Sequence, residues 1–414
     1  MTQKSCDVII IGAGPSGSTA AALIQNAGYS AVILEKNIFP RFVIGESLLP
    51  RCLDLLDEAG MLDDVVARKY MRKNGAVFLE NTKTCSFNFD ERFTEGQDHT
   101  YQVPRDDFDA TLAISAEKKG VEILWHHEVK TVDFSQDTPQ ITAIAGPEGN
   151  EITIEGKFIL DGSGYGRVLP RLLNLELPSS LPLRQSIFTH IRKDIRPTGL
   201  EEGKIWICIL PQNSWLWIIP FSNGKTSVGL VAKPEFIEQL PGSNLDEKLK
   251  AAILLEENAK KRLQNAEFTL PVQKINGYST SVKQFTGKHF ALLGNATEFL
   301  DPVFSSGVTL ALESSNRAAK TLIRQLSGEE VDWDKEYTAY MSQGIETFRT
   351  YVNAWYDGKL PTIFFSGNQP TSIRKQICSV LAGYVWDTGN PCVREHQRAV
   401  KNLAMACAIQ QKQP

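Results

Sequence analysis

The stretch from Asp7 to Gly28 constrains this chain more than any other. A largely β-branched run, Asp7 to Ile11, passes straight into GAGPSG and then into the helix formers of Ser18 to Asn26. Strand, tight turn and helix in that order are the frame of a dinucleotide-binding βαβ unit. Gly12 permits the turn, Gly14 lets the backbone approach a pyrophosphate, and Gly17 allows the helix to pack closely on the strand. Pro15 and Ser16 fall at the helix start, whose N–H groups then face the phosphates. A second strand, Ala31 to Leu34, ends in Glu35 with Lys36 behind it, where a carboxylate can accept the hydroxyls of an adenosine ribose. The competing reading is a glycine-rich turn with no ligand, but strand, helix and acidic terminus all agree with the nucleotide. They do not separate FAD from NAD.

The rest of the composition sets bounds. With 414 residues, 42% apolar and 22% charged, the chain can bury a large core and has the makeup of an ordinary globular protein. A net charge of -4 gives no global reason to expect nucleic acid or an anionic membrane. Seven dispersed cysteines, odd in number and without a CxxC pair, read as reduced thiols in a cytoplasmic protein. The first residues lack the apolar core of a signal peptide, and no apolar run is long enough for a membrane span. The six histidines show no ligand spacing, so no metal is expected.

Further strands follow. GKFILDGSGYGR contains a strand ending in Asp161 and Gly162, and KHFALLGNATEFLDPVFSSGV contains another, followed by a loop and a helix. Residues 181 to 233 hold alternating apolar runs with a turn at Asn223-Gly224, which predicts an antiparallel sheet. Within it Trp215, Trp217 and Ile219 share one face as a rigid apolar wall. A charged amphipathic helix is predicted over 246–264, and helical patterns over 335–355, 373–382 and 395–410 form a C-terminal cap. Tyr351, Trp355, Tyr356, Phe364 and Phe365 either line a pocket there or belong to the core. No second GxGxxG unit occurs, so a resident NAD(P)H domain is not expected.

The two later segments, with the R..FD..L pattern of YQVPRDDFDATL, resemble the glutathione-reductase-type flavoproteins, in the branch of aromatic hydroxylases, geranylgeranyl reductases and flavin-dependent halogenases. The resemblance covers most of the chain. It implies an α/β fold with a Rossmann-like FAD-binding domain built from 1–80, 101–170 and 275–330. A substrate-side β-sheet domain, 81–100 and 171–274, and a helical region, 331–414, would complete it. It implies FAD contacts at Arg105, at Asn295 beside the ribityl chain, and at Arg41, Glu46 and Ser47 around GESLLP. Asp301, Pro302, Ser306, Gly307 and Val308 at the start of the later helix join them, because free N–H groups and the helix dipole favour a reduced flavin. Arg105 also suits a helix-start ion pair with Asp106 or Asp109.

WLWIIP and FLDPVFSSG match the WxWxIP and FxxPxxSxG signatures of flavin-dependent halogenases. In that family the tryptophan wall separates substrate from flavin, and the backbone N–H groups of Ser306 and Gly307 would hold a halide. The family also needs a lysine that holds or directs hypohalous acid. Lys73 in RKNGAVF matches the K.GA.F form of the phenol and pyrrole types, although it also sits among Arg68, Lys69 and Arg72 as in an exposed basic cluster. Phe304 replaces the glutamate, and Phe78 the lysine, of the tryptophan-type pattern. The expected function is therefore oxidation of an electron-rich aromatic with reduced FAD and oxygen. A separate flavin reductase supplies electrons, and a carrier protein presents the substrate in some members. A geranylgeranyl-reductase-like activity and a non-catalytic flavin scaffold are the alternatives.

Overall fold

Val8 to Ile11 and Val32 to Leu34 are apolar on both faces, as strands buried between two helical layers must be. In the computed structural model, which describes residues 2–146, 149–367 and 370–410, β1 (Thr2–Ile11) lies inside a parallel sheet. Its path runs from Phe290–Leu292 through Asn150–Asp161, β1 and β2 (Ala31–Glu35) to Glu122–Trp125. Gly12 turns the chain with φ +90°, and α1 (Pro15–Asn26) then packs back on the sheet. A Cβ on Gly17 would lie 1.9 Å from the Gly12 carbonyl, so only glycine closes this turn. The long helix Ser306–Leu326 runs beside α1, and Ser315 donates to the Ser16 carbonyl at 2.8 Å.

The second sheet follows the order Gln185–Arg192, Thr226–Ala232, Ser214–Pro220, Ile205–Leu210, Gly75–Glu80, Lys83–Asn88. It is antiparallel apart from the pairing of Ile205–Leu210 with Gly75–Glu80. Gly75–Glu80 and Lys83–Asn88, on either side of the expected division at residue 80, form one hairpin within this sheet. The hairpin is apolar enough to extend the sheet, and sequence order gave no hint that it pairs with a strand far along the chain. The predicted helix over 246–264 is two, Leu245–Ile253 and Glu257–Arg262, because Glu256 caps the second through the Ala259 N–H at 2.7 Å. Ala339–Tyr356, Lys359–Phe364, Thr371–Leu381 and His396–Gln410 form the C-terminal helical layer. No helix among the described residues is long and apolar enough to cross a membrane.

Candidate active site

Three rows of side chains stand on one face of the second sheet. Register places Ser186, Val231 and Trp215 in the first, Phe188, Gly229 and Trp217 in the second, and His190, Ser227 and Ile219 in the third. Gly229 makes this wall possible, since a Cβ there would fall 2.2 Å from the Trp217 ring and 2.7 Å from Phe188. Both indoles are buried, their ring centres 6.1 Å apart. Trp217 Nε1 donates to Ser227 Oγ at 3.0 Å, which leaves no free polar atom on that ring.

Opposite the wall, a cavity of about 590 Å³ opens between the two sheets. Gly12, Gly14, Pro15, Ser16 and Gly162 line one end, with Glu35, Lys36 and Arg41 beside them. Glu46, Ser47, Arg105, Asn295, Pro302, Gly307, Val308, Trp215 and Trp217 line the cavity as well. The remaining sequence-derived residues stand outside the lining. Gly17 supports the turn from below. The Asp161 carboxylate accepts from the Ser163 and Leu169 N–H groups at 2.9 and 2.7 Å, and so holds the second glycine turn. Asp301 accepts from the Val303 N–H at 3.0 Å and from Tyr356 Oη at 2.8 Å. Burial raises its carboxyl to about 6. Its role is to fix the turn ahead of the helix.

Ser305 caps that helix in the left-handed region, φ +55°, and the helix begins at Ser306. The first N–H groups, including those of Ser306 and Gly307, have no carbonyl one turn earlier to bond. Gly307 lines the cavity, whereas the Ser306 side chain is buried beside it.

Glu35 is reassigned in part. Its two oxygens accept from the Ala13 and Asn37 N–H groups, both at 2.9 Å, so the carboxylate organises the glycine-rich loop while remaining in the cavity wall. Arg105 pairs with Asp109 through two bonds, 2.7 and 3.1 Å, and lines the cavity.

Lys73 is not in an exposed cluster. It retains 1% of its surface, because alternation along Met71–Lys73 turns it inward while Arg72 turns out. Its Nζ donates to the Leu48 carbonyl at 2.8 Å, and burial pulls the amine down to about 7. Residues 44–47 line the cavity, so Lys73 is held by the next residue of the same segment. Of the aromatics considered for a pocket in the C-terminal layer, Phe364 and Trp355 pack on Phe78, at 4.5 and 5.7 Å, and Trp355 also packs on Phe304, at 6.1 Å.

Several cavity residues escaped sequence reading. Phe42 and Tyr278 line the cavity and carry no motif, and His190, outside the lining, reaches it only through its 2.8 Å contact with Glu46.

FAD fits this cavity on the structure's own terms. Asn295 Oδ1, Ser47 Oγ, Glu46 Oε2 and Ser186 Oγ are buried without a protein partner in residues that line it, as groups awaiting a polar ligand would be. The space in front of Gly14 is open except for an Arg41 nitrogen 3.6 Å from where a Cβ would stand, which suits a diphosphate. A glycine turn and a planar aromatic wall lining the same cavity match the two ends of that cofactor.

Fold and site define an FAD-dependent oxidoreductase. The chain belongs to the FAD binding domain family, whose model matches residues 5–340, and within it to the branch that holds the flavin-dependent halogenases. It is 29% identical to a 1H-pyrrole-2-carbonyl-(peptidyl-carrier protein) chlorinase of Pseudomonas fluorescens, over 93% of this chain and 91% of that one. Among solved structures, a flavoprotein/dehydrogenase from Cytophaga hutchinsonii matches with TM-score 0.95 and 44% identity, covering 99% of this chain and 100% of that one. The flavin-dependent brominase Bmp2 matches with TM-score 0.84 and 25% identity, over 99% and 100% of the two chains.

Proposed function

We propose that this protein halogenates an electron-rich aromatic of the pyrrole or phenol kind, with Lys73 as the group that directs the halogen. The observation that carries the reading is the buried amine itself. Lys73 has one fixed carbonyl partner, no carboxylate to neutralise it, and an amine brought to about 7, so near neutral pH a substantial fraction is uncharged. A structural lysine is normally paired and charged. An uncharged amine has a lone pair that can take up an electrophilic halogen, and a charged one can hold hypohalous acid by hydrogen bonding.

Bound FAD, once reduced, supplies the oxygen activation that converts halide to hypohalous acid. The protein's residues do the rest. Backbone N–H groups of Ser306 and Gly307 hold the halide at the positive end of their helix. Trp215 and Trp217 exclude water and substrate from the flavin side. Lys73, behind the Ile44–Leu48 segment, receives the oxidant and sets where it reacts. The substrate this reading favours is a pyrrole delivered on a carrier protein, as in the name of the Pseudomonas relative, with electrons from a separate flavin reductase.

The test is mass spectrometry of reactions containing FAD, a flavin reductase, oxygen and bromide with free phenols, free pyrroles and a pyrrolyl-loaded carrier protein. Brominated product from the native protein, and none from an FAD-loaded Lys73→Met variant, is expected. Equal product from that variant would remove Lys73 from the mechanism.

A further inference from the structure

Glu46 and His190 make a buried pair that the halogenation reading does not use. Glu46 retains 2% of its surface and His190 7%, and His190 Nε2 lies 2.8 Å from Glu46 Oε1. The other carboxylate oxygen, Oε2, is buried with no protein partner, in a residue that lines the cavity. A buried acceptor left bare is costly unless a bound ligand supplies a donor. Aromatic rings pack the imidazole: Phe42 at 5.6 Å and Phe221 at 5.4 Å. His190 stands in the row of Ile219, next to the row of Phe188 and Trp217.

We infer that Glu46 and His190 form a redox-linked proton site at the isoalloxazine. The free Oε2 of Glu46 accepts a hydrogen bond from a ring N–H, and His190 binds one proton when the ring is reduced. Two electrons from an external donor and one solvent proton go to the ring, and a second solvent proton forms the new N–H bond on His190, whose imidazolium remains paired with the Glu46 carboxylate. An imidazole suits this role because its ordinary proton exchange falls near neutral pH. The other charged groups around the pair are Arg105, which donates to the Gly45 carbonyl at 3.2 Å and is matched by Asp109, and Arg41, 3.6 Å from the same carboxylate. Guanidinium groups stay protonated throughout this range, so they supply a constant field and no inflection.

The inference rests on FAD binding and not on halogen transfer, so it survives if no halogenated product is ever found. The experiment is spectroelectrochemical titration of the FAD-loaded protein at a series of pH values, with dissociation constants for FAD measured alongside. The native protein is expected to show an inflection in the pH dependence of its reduction potential. His190→Gln and Glu46→Gln should each lose it when titrated at FAD concentrations that saturate each variant. Three results would overturn the inference: the same inflection in both variants, its loss in only one, or loss of FAD binding by both, which would make the pair structural.

Discussion

Lys73 is buried to 1% of its surface, with its Nζ donating to the Leu48 carbonyl at 2.8 Å. Its motif was legible in RKNGAVF, but neighbours Arg68, Lys69 and Arg72 argued for a solvated patch, and only the alternation of a three-residue strand turns it inward. No short motif conveys that burial, because the walls around the amine come from Leu48, Cys52 and Phe89, distant in sequence. A stability prediction follows. Unfolded, this lysine titrates near 10.5, and folded near about 7. Between those values the unfolded chain binds more protons, so stability rises with pH from about 7 to 10.5 and is level below about 7. Lys73→Met removes the penalty and should stabilise the protein by up to about 4 kcal/mol at pH 7, with the gain shrinking toward pH 10. Chemical denaturation at a series of pH values checks this, and an unchanged or lower stability at pH 7 would show the amine to be well solvated. Glu35 gives the opposite lesson: its position was legible, but its loop-organising bonds to Ala13 and Asn37 depend on side-chain geometry that spacing does not carry.

The tryptophan strand and the Ser306 helix form the two faces of the site. Period-2 alternation exposed the first, since Trp215, Trp217 and Ile219 fall on one side of any strand. The role of Gly229 was hidden, because it depends on which strand lies alongside. Gly229→Ala would force its methyl into the Trp217 ring and Phe188. The expected loss is about 1–3 kcal/mol in thermal denaturation, with weaker FAD binding in fluorescence titration. An unaltered FAD affinity would show that the wall does not touch the ring. The helix was legible from its Pro and Ser residues. Asp301 caps the preceding turn, while Ser305 enters the helix in the left-handed region. Tyr356 joins both faces, accepting from Trp215 Nε1 at 3.1 Å and donating to Asp301. Tyr356→Phe should therefore cost about 1–2 kcal/mol of stability, and a loss indistinguishable from zero in urea denaturation would mean that this link carries no load.

Across the molecule, the parallel sheet and the antiparallel sheet meet at one cavity, and the Ile44–Leu48 segment lies between that cavity and Lys73. The nucleotide half was readable because its turn requires glycines at fixed spacing. The junction was not, because the Gly75–Glu80 hairpin joins Ile205–Leu210 across more than a hundred residues. FAD binds only the folded arrangement of both halves, so a hundredfold excess over its dissociation constant should add about 2.7 kcal/mol of stability. A differential scanning fluorimetry trace unmoved by FAD would contradict the cavity assignment. The most direct measurement of the whole account is bromide anomalous diffraction from crystals of the FAD-loaded protein. The account predicts a bromide peak within about 3.5 Å of the Ser306 and Gly307 backbone nitrogens, beside a flavin ring laid between that helix start and Trp217. A bound flavin with no halide there, or a ring lying elsewhere, would contradict it.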